Sequence, residues 1–120
     1  MGCAEPDHLR AVNVSHWDDA GAVRVGRLIV AADQAPRIVA VFRDIYAARF
    51  PIHRMEPIDA YGGDDQASMR ANNTSGFNCR YVAGTTKLSQ HAHGRAVDVN
   101  PLVNPYVKGS TVDPPEGAPY

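Results

Sequence analysis

The stretch Ser89-Gln90-His91-Ala92-His93-Gly94-Arg95-Ala96-Val97-Asp98-Val99-Asn100-Pro101 decides how the rest of the chain is read. Two histidines, an aspartate and several turn-forming residues are crowded into it. Neutral imidazole and carboxylate are the donors a catalytic zinc takes, at about 2.0–2.2 Å, usually with one position left to water. His91 and Asp98 are too far apart in sequence for one helical turn. They converge if the chain turns at Gly94 and continues as a strand over 96–99, with Asp98 on one face and Val97 and Val99 on the other.

Outward from that segment, 120 residues make one modest domain. A net charge of -1 and the absence of a basic run exclude the electrostatic footprint of a nucleic-acid or anionic-membrane partner. No stretch is long and apolar enough for a membrane span, and residues 1–10 contain no apolar signal core. Gly2-Cys3 is compatible with the remnant of a trimmed secretion signal. Cys3 and Cys79 form no Cys-x-x-Cys pair, which argues against a zinc ribbon or thioredoxin-type site. A disulfide in an oxidising compartment and two buried thiols in the cytosol both remain open.

The elements are read from period and punctuation. Runs over 9–17 and 22–30, separated by Asp18-Asp19-Ala20-Gly21, predict a β-hairpin. Ile38, Val41, Phe42 and Ile45 follow helical spacing, with Asp33 as expected N-cap, Pro36 in the first turn and Phe50-Pro51 as the stop. Residues 51–59 read as an edge strand or extended connection, and 61–65 as an acidic loop. Residues 72–76 read as an ordered turn leading to a short strand over 77–82. The prolines and glycines of 102–120 predict an extended tail. The fold class expected is α+β, a small antiparallel sheet with one main packing helix. An N-terminal tail (1–8) would precede a domain over 9–106, with the Pro/Gly-rich tail over 107–120.

Ser89-x-His91-x-x-Gly94-x-Ala96-x-Asp98 resembles the signature of the zinc D-alanyl-D-alanine carboxypeptidases and L-alanyl-D-glutamate endopeptidases, whose fold is shared with the Hedgehog signalling domain. Phe50-Pro51-Ile52, the run Asn73-Thr74-Ser75-x-Phe77-Asn78-Cys79-Arg80 and Asn100-Pro101 extend the similarity over 9–106. The resemblance implies the Hedgehog/DD-peptidase fold, a Zn2+ cofactor held by His91 and Asp98, Arg80 as the catalytic cation that polarises substrate, and Ser89 with Arg80 as substrate contacts. It further implies a place in the cell envelope or outside the cell and hydrolysis of a peptidoglycan peptide by metal-assisted chemistry; a monomer is expected.

The family completes its site with a C-terminal tryptophan-containing strand, an acidic general base and a third ligand histidine. No histidine follows Asp98 here, so the chain is expected to be the N-terminal portion of such a peptidase. His93 is a candidate replacement ligand, although a polar ring packed beside the site is the favoured reading. The alternative function is a non-catalytic module that keeps the fold and binds wall peptides or a protein partner.

Overall fold

A computed structural model describes residues 2–120. The predicted hairpin is its longest regular feature: β1 (Leu9–Trp17) pairs antiparallel with β2 (Val23–Ala31), from Leu9 opposite Ala31 to Trp17 opposite Val23. Asp18 closes the turn, its Oδ1 accepting from the backbone N–H of Ala20 and of Ala22 at 2.9 Å each. Away from the exposed Arg10 and Arg24 the even-numbered positions face inward, and Val14, Leu28 and Val30 form a core with Phe42, Ile52 and Met55. Gly26 is required by that packing: a Cβ there would lie 2.6 Å from the Cβ of Met55.

The predicted helix is α1 (Ala35–Ala47), which buries Phe42 and packs Ile38, Val39 and Ile45 on the hairpin. Pro36 occupies the first turn as expected, but Asp33 does not cap it. A short 3-10 turn, Ala32–Gln34, intervenes, and Gln34 is the capping position without a side-chain bond. Asp33 instead forms a fork with Arg95, whose Nη1 lies 3.1 and 3.2 Å from the two carboxylate oxygens. A charge-assisted bidentate pair outcompetes one cap hydrogen bond. At the other end Trp17 stacks on Tyr46 with ring centroids 5.6 Å apart, and Arg49 covers the indole.

The α+β class holds, but the single antiparallel sheet does not. Among the described residues there are three separate two-stranded pieces, one of them parallel: β3 (Arg54–Met55) beside β4 (Asn73–Thr74). The Asn73 side chain explains why that ladder stops. Its amide donates to Glu56 O at 2.9 Å and accepts from Glu56 N at 3.0 Å, substituting for the next backbone pair. Residues 72–76, expected as a turn, therefore contribute a strand pair; Asn72 alone takes the left-handed turn conformation, φ 57°.

Two further predicted strands are extended segments without a ladder. Over 77–82 the first backbone bonds go to separate partners, Phe77 N to Ile29 O at 2.7 Å and Asn78 N to His91 O at 3.0 Å, and the end of the segment makes a single antiparallel bridge between Tyr81 and Leu88. Over 96–99 only Asp98 pairs, with Ser75. Residues 61–65 end at a helix start that composition masked: Asp64 caps α2 (Asp65–Arg70), accepting from Ala67 N at 3.2 Å.

The segment read as an extended tail folds back as β5 (Tyr106–Lys108) and β6 (Thr111–Asp113), turned at Gly109, and Pro114 is fully buried. Gln66 Nε2 donates to Asp113 Oδ1 at 2.8 Å, joining α2 to this hairpin. Cys3 and Cys79 form a disulfide, Cα atoms 5.7 Å apart, which decides the pairing left open above. Among the described residues no helix is long and apolar enough to cross a membrane.

Candidate functional site

The signature segment sits against the end of β2 near Leu9 and Ala31. Gly94 is in the left-handed region at φ 69°, and a Cβ on it would lie 2.6 Å from Ala31 N. Only glycine allows both the turn and the close approach, through which Ala31 N donates to Gly94 O at 2.9 Å. Before it, Gln90–His93 makes one 3-10 turn capped by Ser89, whose Oγ accepts from His91 N at 3.2 Å.

His91 is buried, and both its ring nitrogens are addressed. Nδ1 lies 2.8 Å from Gly76 O, so the carbonyl holds a proton on Nδ1, and Nε2 is the nitrogen that carries a second proton toward Asp98 or, once that proton is lost, offers a lone pair. Nε2 faces Asp98 Oδ2 at 3.3 Å. Burial alone would lower the affinity of His91 for a proton; the Asp98 carboxylate and the Gly76 carbonyl outweigh it, so the pKa is raised above 6.5. Val97 and Val99 pack toward the core on either side of Asp98.

The same separation suits a metal. Two donors bonded to one tetrahedral ion at about 2.0–2.1 Å lie about 3.3–3.4 Å apart. The His91 and Asp98 donors therefore fit one edge of a zinc site, with the His91 ring held in the orientation ligation needs. Among the described residues no group of three or more His, Cys, Asp or Glu is placed to hold an ion, so a third protein donor is not part of this arrangement. His93 does not supply it. It lines a separate cavity of about 510 Å³ with His8, Asp33 and Arg95.

Arg80 is near enough for its charge to act on His91, and its Nε lies 3.5 Å from Asp65 Oδ2. That Nε is buried without a well-formed hydrogen bond, and Nη1 reaches only Tyr81 O at 3.4 Å. Asp65 accepts from Asn78 Nδ2 at 3.1 Å. Burial pushes its carboxyl pKa up, the Arg80 charge opposes the rise, and Asp98 adds to it. Asp65, His91, Arg80 and Asp98 thus feel one another's charge. Ser89 is buried with its hydroxyl turned into its own turn.

Asp65 and Asn78 belong to this cluster, although the adjacent carboxylates Asp64 and Asp65 read by residue type as a cation-binding pair or, more commonly, a solvated turn. The signal for Asp65 was available: Asp64 followed by Gln66-Ala67-Ser68-Met69 reads as a capped helix start, which converts a solvated acidic pair into one cap and one placed carboxylate. Nothing local marks Asn78. Its role comes from a fold that brings residues 78 and 65 together.

Residues 83–120 match the sequence model of a family described as D-alanyl-D-alanine carboxypeptidase. This is the family whose signature is quoted above, and the match includes His91 and Asp98. No curated protein matches the chain. No solved structure does either.

Proposed function

We propose that this chain is a zinc-dependent peptidase of the D-alanyl-D-alanine carboxypeptidase type, acting on peptidoglycan peptides. The observation that carries the reading is the His91 ring: buried, its Nδ1 engaged by Gly76 O, its Nε2 open toward Asp98, inside the segment that matches the family. His91 and Asp98 hold the metal. Bound there, zinc supplies a polarised carbonyl and an acidified water. Arg80 faces the substrate as the cation for its carboxylate or for the oxyanion of the tetrahedral intermediate. Ser89 serves the site through the turn it caps. The Cys3–Cys79 disulfide suits an oxidising compartment, which supports placement in the cell envelope or outside the cell.

A second reading has its own observation. With only two placed donors among the described residues, the same architecture serves a non-catalytic module that retains wall-peptide or protein binding. Hydrolysis separates the two readings. The zinc-loaded chain is incubated with an acyl-L-lysyl-D-alanyl-D-alanine peptide and release of D-alanine is followed. Turnover that disappears in Asp98→Ala supports the peptidase; peptide binding without turnover supports the module.

A further inference from the structure

The acidic residue at the start of α2 has no part in the proposed chemistry so far, yet it is the only carboxylate paired with Arg80 among the described residues. Its placement is over-determined. Asp64 caps the helix and sets Asp65 in its first turn. The helix is anchored on one side by Asn73 Nδ2, which donates to Ser68 Oγ at 3.1 Å, and on the other by Gln66 to Asp113. Asn78 then joins Asp65 to the metal-ligand segment, because its side chain donates to Asp65 Oδ1 while its backbone N–H donates to His91 O.

Arg80 has the complementary need. Its neighbour Cys79 is bonded to Cys3, and its own carbonyl accepts from Ser89 N at 3.0 Å, so the backbone is held. Its guanidinium is held by little else among the described residues. Nε is buried, and Asp65 is the carboxylate paired with it there.

We propose that Asp65, oriented by Asn78, is the positioning residue for Arg80: it holds the Nε edge of the guanidinium so that the terminal nitrogens face the substrate. A planar guanidinium held along one edge presents the other in a fixed direction, which suits two-point recognition of a carboxylate. The claim about substrate rests on the function proposed above; the claim about the guanidinium does not. Asp65 would act through Arg80 and is not itself a metal ligand.

The test uses the zinc-loaded chain in four forms: wild type, Asp65→Asn, Arg80→Gln and the double variant. Titration with acyl-L-lysyl-D-alanyl-D-alanine is expected to show binding weakened about ten-fold or more in Arg80→Gln and about as much in Asp65→Asn, as for other partly buried charge pairs broken from one side. The double variant is expected to bind no more weakly than Arg80→Gln. Losses that multiply, or an unchanged Asp65→Asn, overturn the positioning role. Asp65→Glu, which keeps the charge, should restore part of the affinity.

A second readout needs no peptide. In the 15N NMR spectrum the Arg80 Nε–H is expected to be protected from solvent exchange in wild type and to exchange at least ten-fold faster in Asp65→Asn. Asn78→Ala, which leaves the Asp65 charge in place, should fall between them. Zinc affinity should fall less in these variants than on loss of His91, since Asp65, Arg80 and Asn78 reach the ligands only through charge and backbone contact. If wild type ignores the peptide, the functional reading fails while Nε exchange still decides the role of Asp65. Unchanged exchange in Asp65→Asn refutes that role whatever the peptide does.

Discussion

Two histidine–aspartate contacts lie at opposite ends of the β1–β2 hairpin. At the turn end His53 Nδ1 meets Asp19 Oδ2, with both side chains about half exposed, 42% and 58%. At the other end His91 Nε2 meets Asp98 with the histidine side chain 9% exposed and its second nitrogen on Gly76 O. The residue types are the same, and the environments oppose each other. An exposed pair can rotate, rehydrate and be screened, so its worth is a few tenths of a kcal/mol to about 1 kcal/mol. A buried ring with one nitrogen fixed has a single orientation, and its remaining lone pair points one way. Ligation or catalysis needs that fixed geometry, and residue identity alone does not supply it.

Breaking the covalent tie at the His91 end should have the largest effect. Removing the Cys3–Cys79 disulfide, by reduction or by Cys79→Ser, should cost about 2–5 kcal/mol in urea unfolding. Amide shifts should concentrate at 76–94 and spare the turn around Asp18 and His53. Equal disturbance at both ends would show that the disulfide does not serve the site in particular.

Zinc itself sharpens the contrast. By calorimetry His91→Ala should lose zinc binding about a hundred-fold or more, whereas His53→Ala should leave it unchanged. A loss on His53→Ala would move the metal centre to the other end of the hairpin. Next in size is Gly94→Ala, which places a Cβ 2.6 Å from Ala31 N at φ 69° and should cost about 1–3 kcal/mol. Gly21, also at positive φ in the hairpin turn, has open space around it, so the alanine variant there should cost less.

The same contrast marks what could be read from sequence. The hairpin and α1 carry clean periods of two and 3.6, and both were readable from their apolar positions. His91, Asp98 and the turn at Gly94 were readable from a compact local motif, because donors and hinge lie within one short segment. The rest of the site was not. Asp65 comes from a six-residue helix, too short to show a period, and Asn78 acts through a long-range contact. The short strands failed for a related reason: two-residue ladders finished by the amide of Asn73 have no pattern to detect. The hairpin at 106–113 was obscured by the prolines and glycines around it, which mark turns without saying whether the intervening residues pair.

Proton linkage gives the smallest expected effect and tests the contrast in solution. The folded pKa of His91 is raised above its unfolded value, so folding favours the protonated ring. In metal-free protein that contribution is fully present below about pH 6.5, the unfolded value, and is lost as pH rises through the folded pKa. Urea unfolding between pH 6 and pH 8 should therefore show a His91-dependent decline in stability. Asp98→Asn should remove most of it, because the carboxylate is the main group raising the pKa. Zinc binding should run in the opposite sense, strengthening over the same interval as the proton leaves Nε2, since a ligand imidazole must be neutral. A zinc affinity independent of pH in this range, with the metal-free decline still present, would mean that the nitrogen facing Asp98 is not the one that binds the metal.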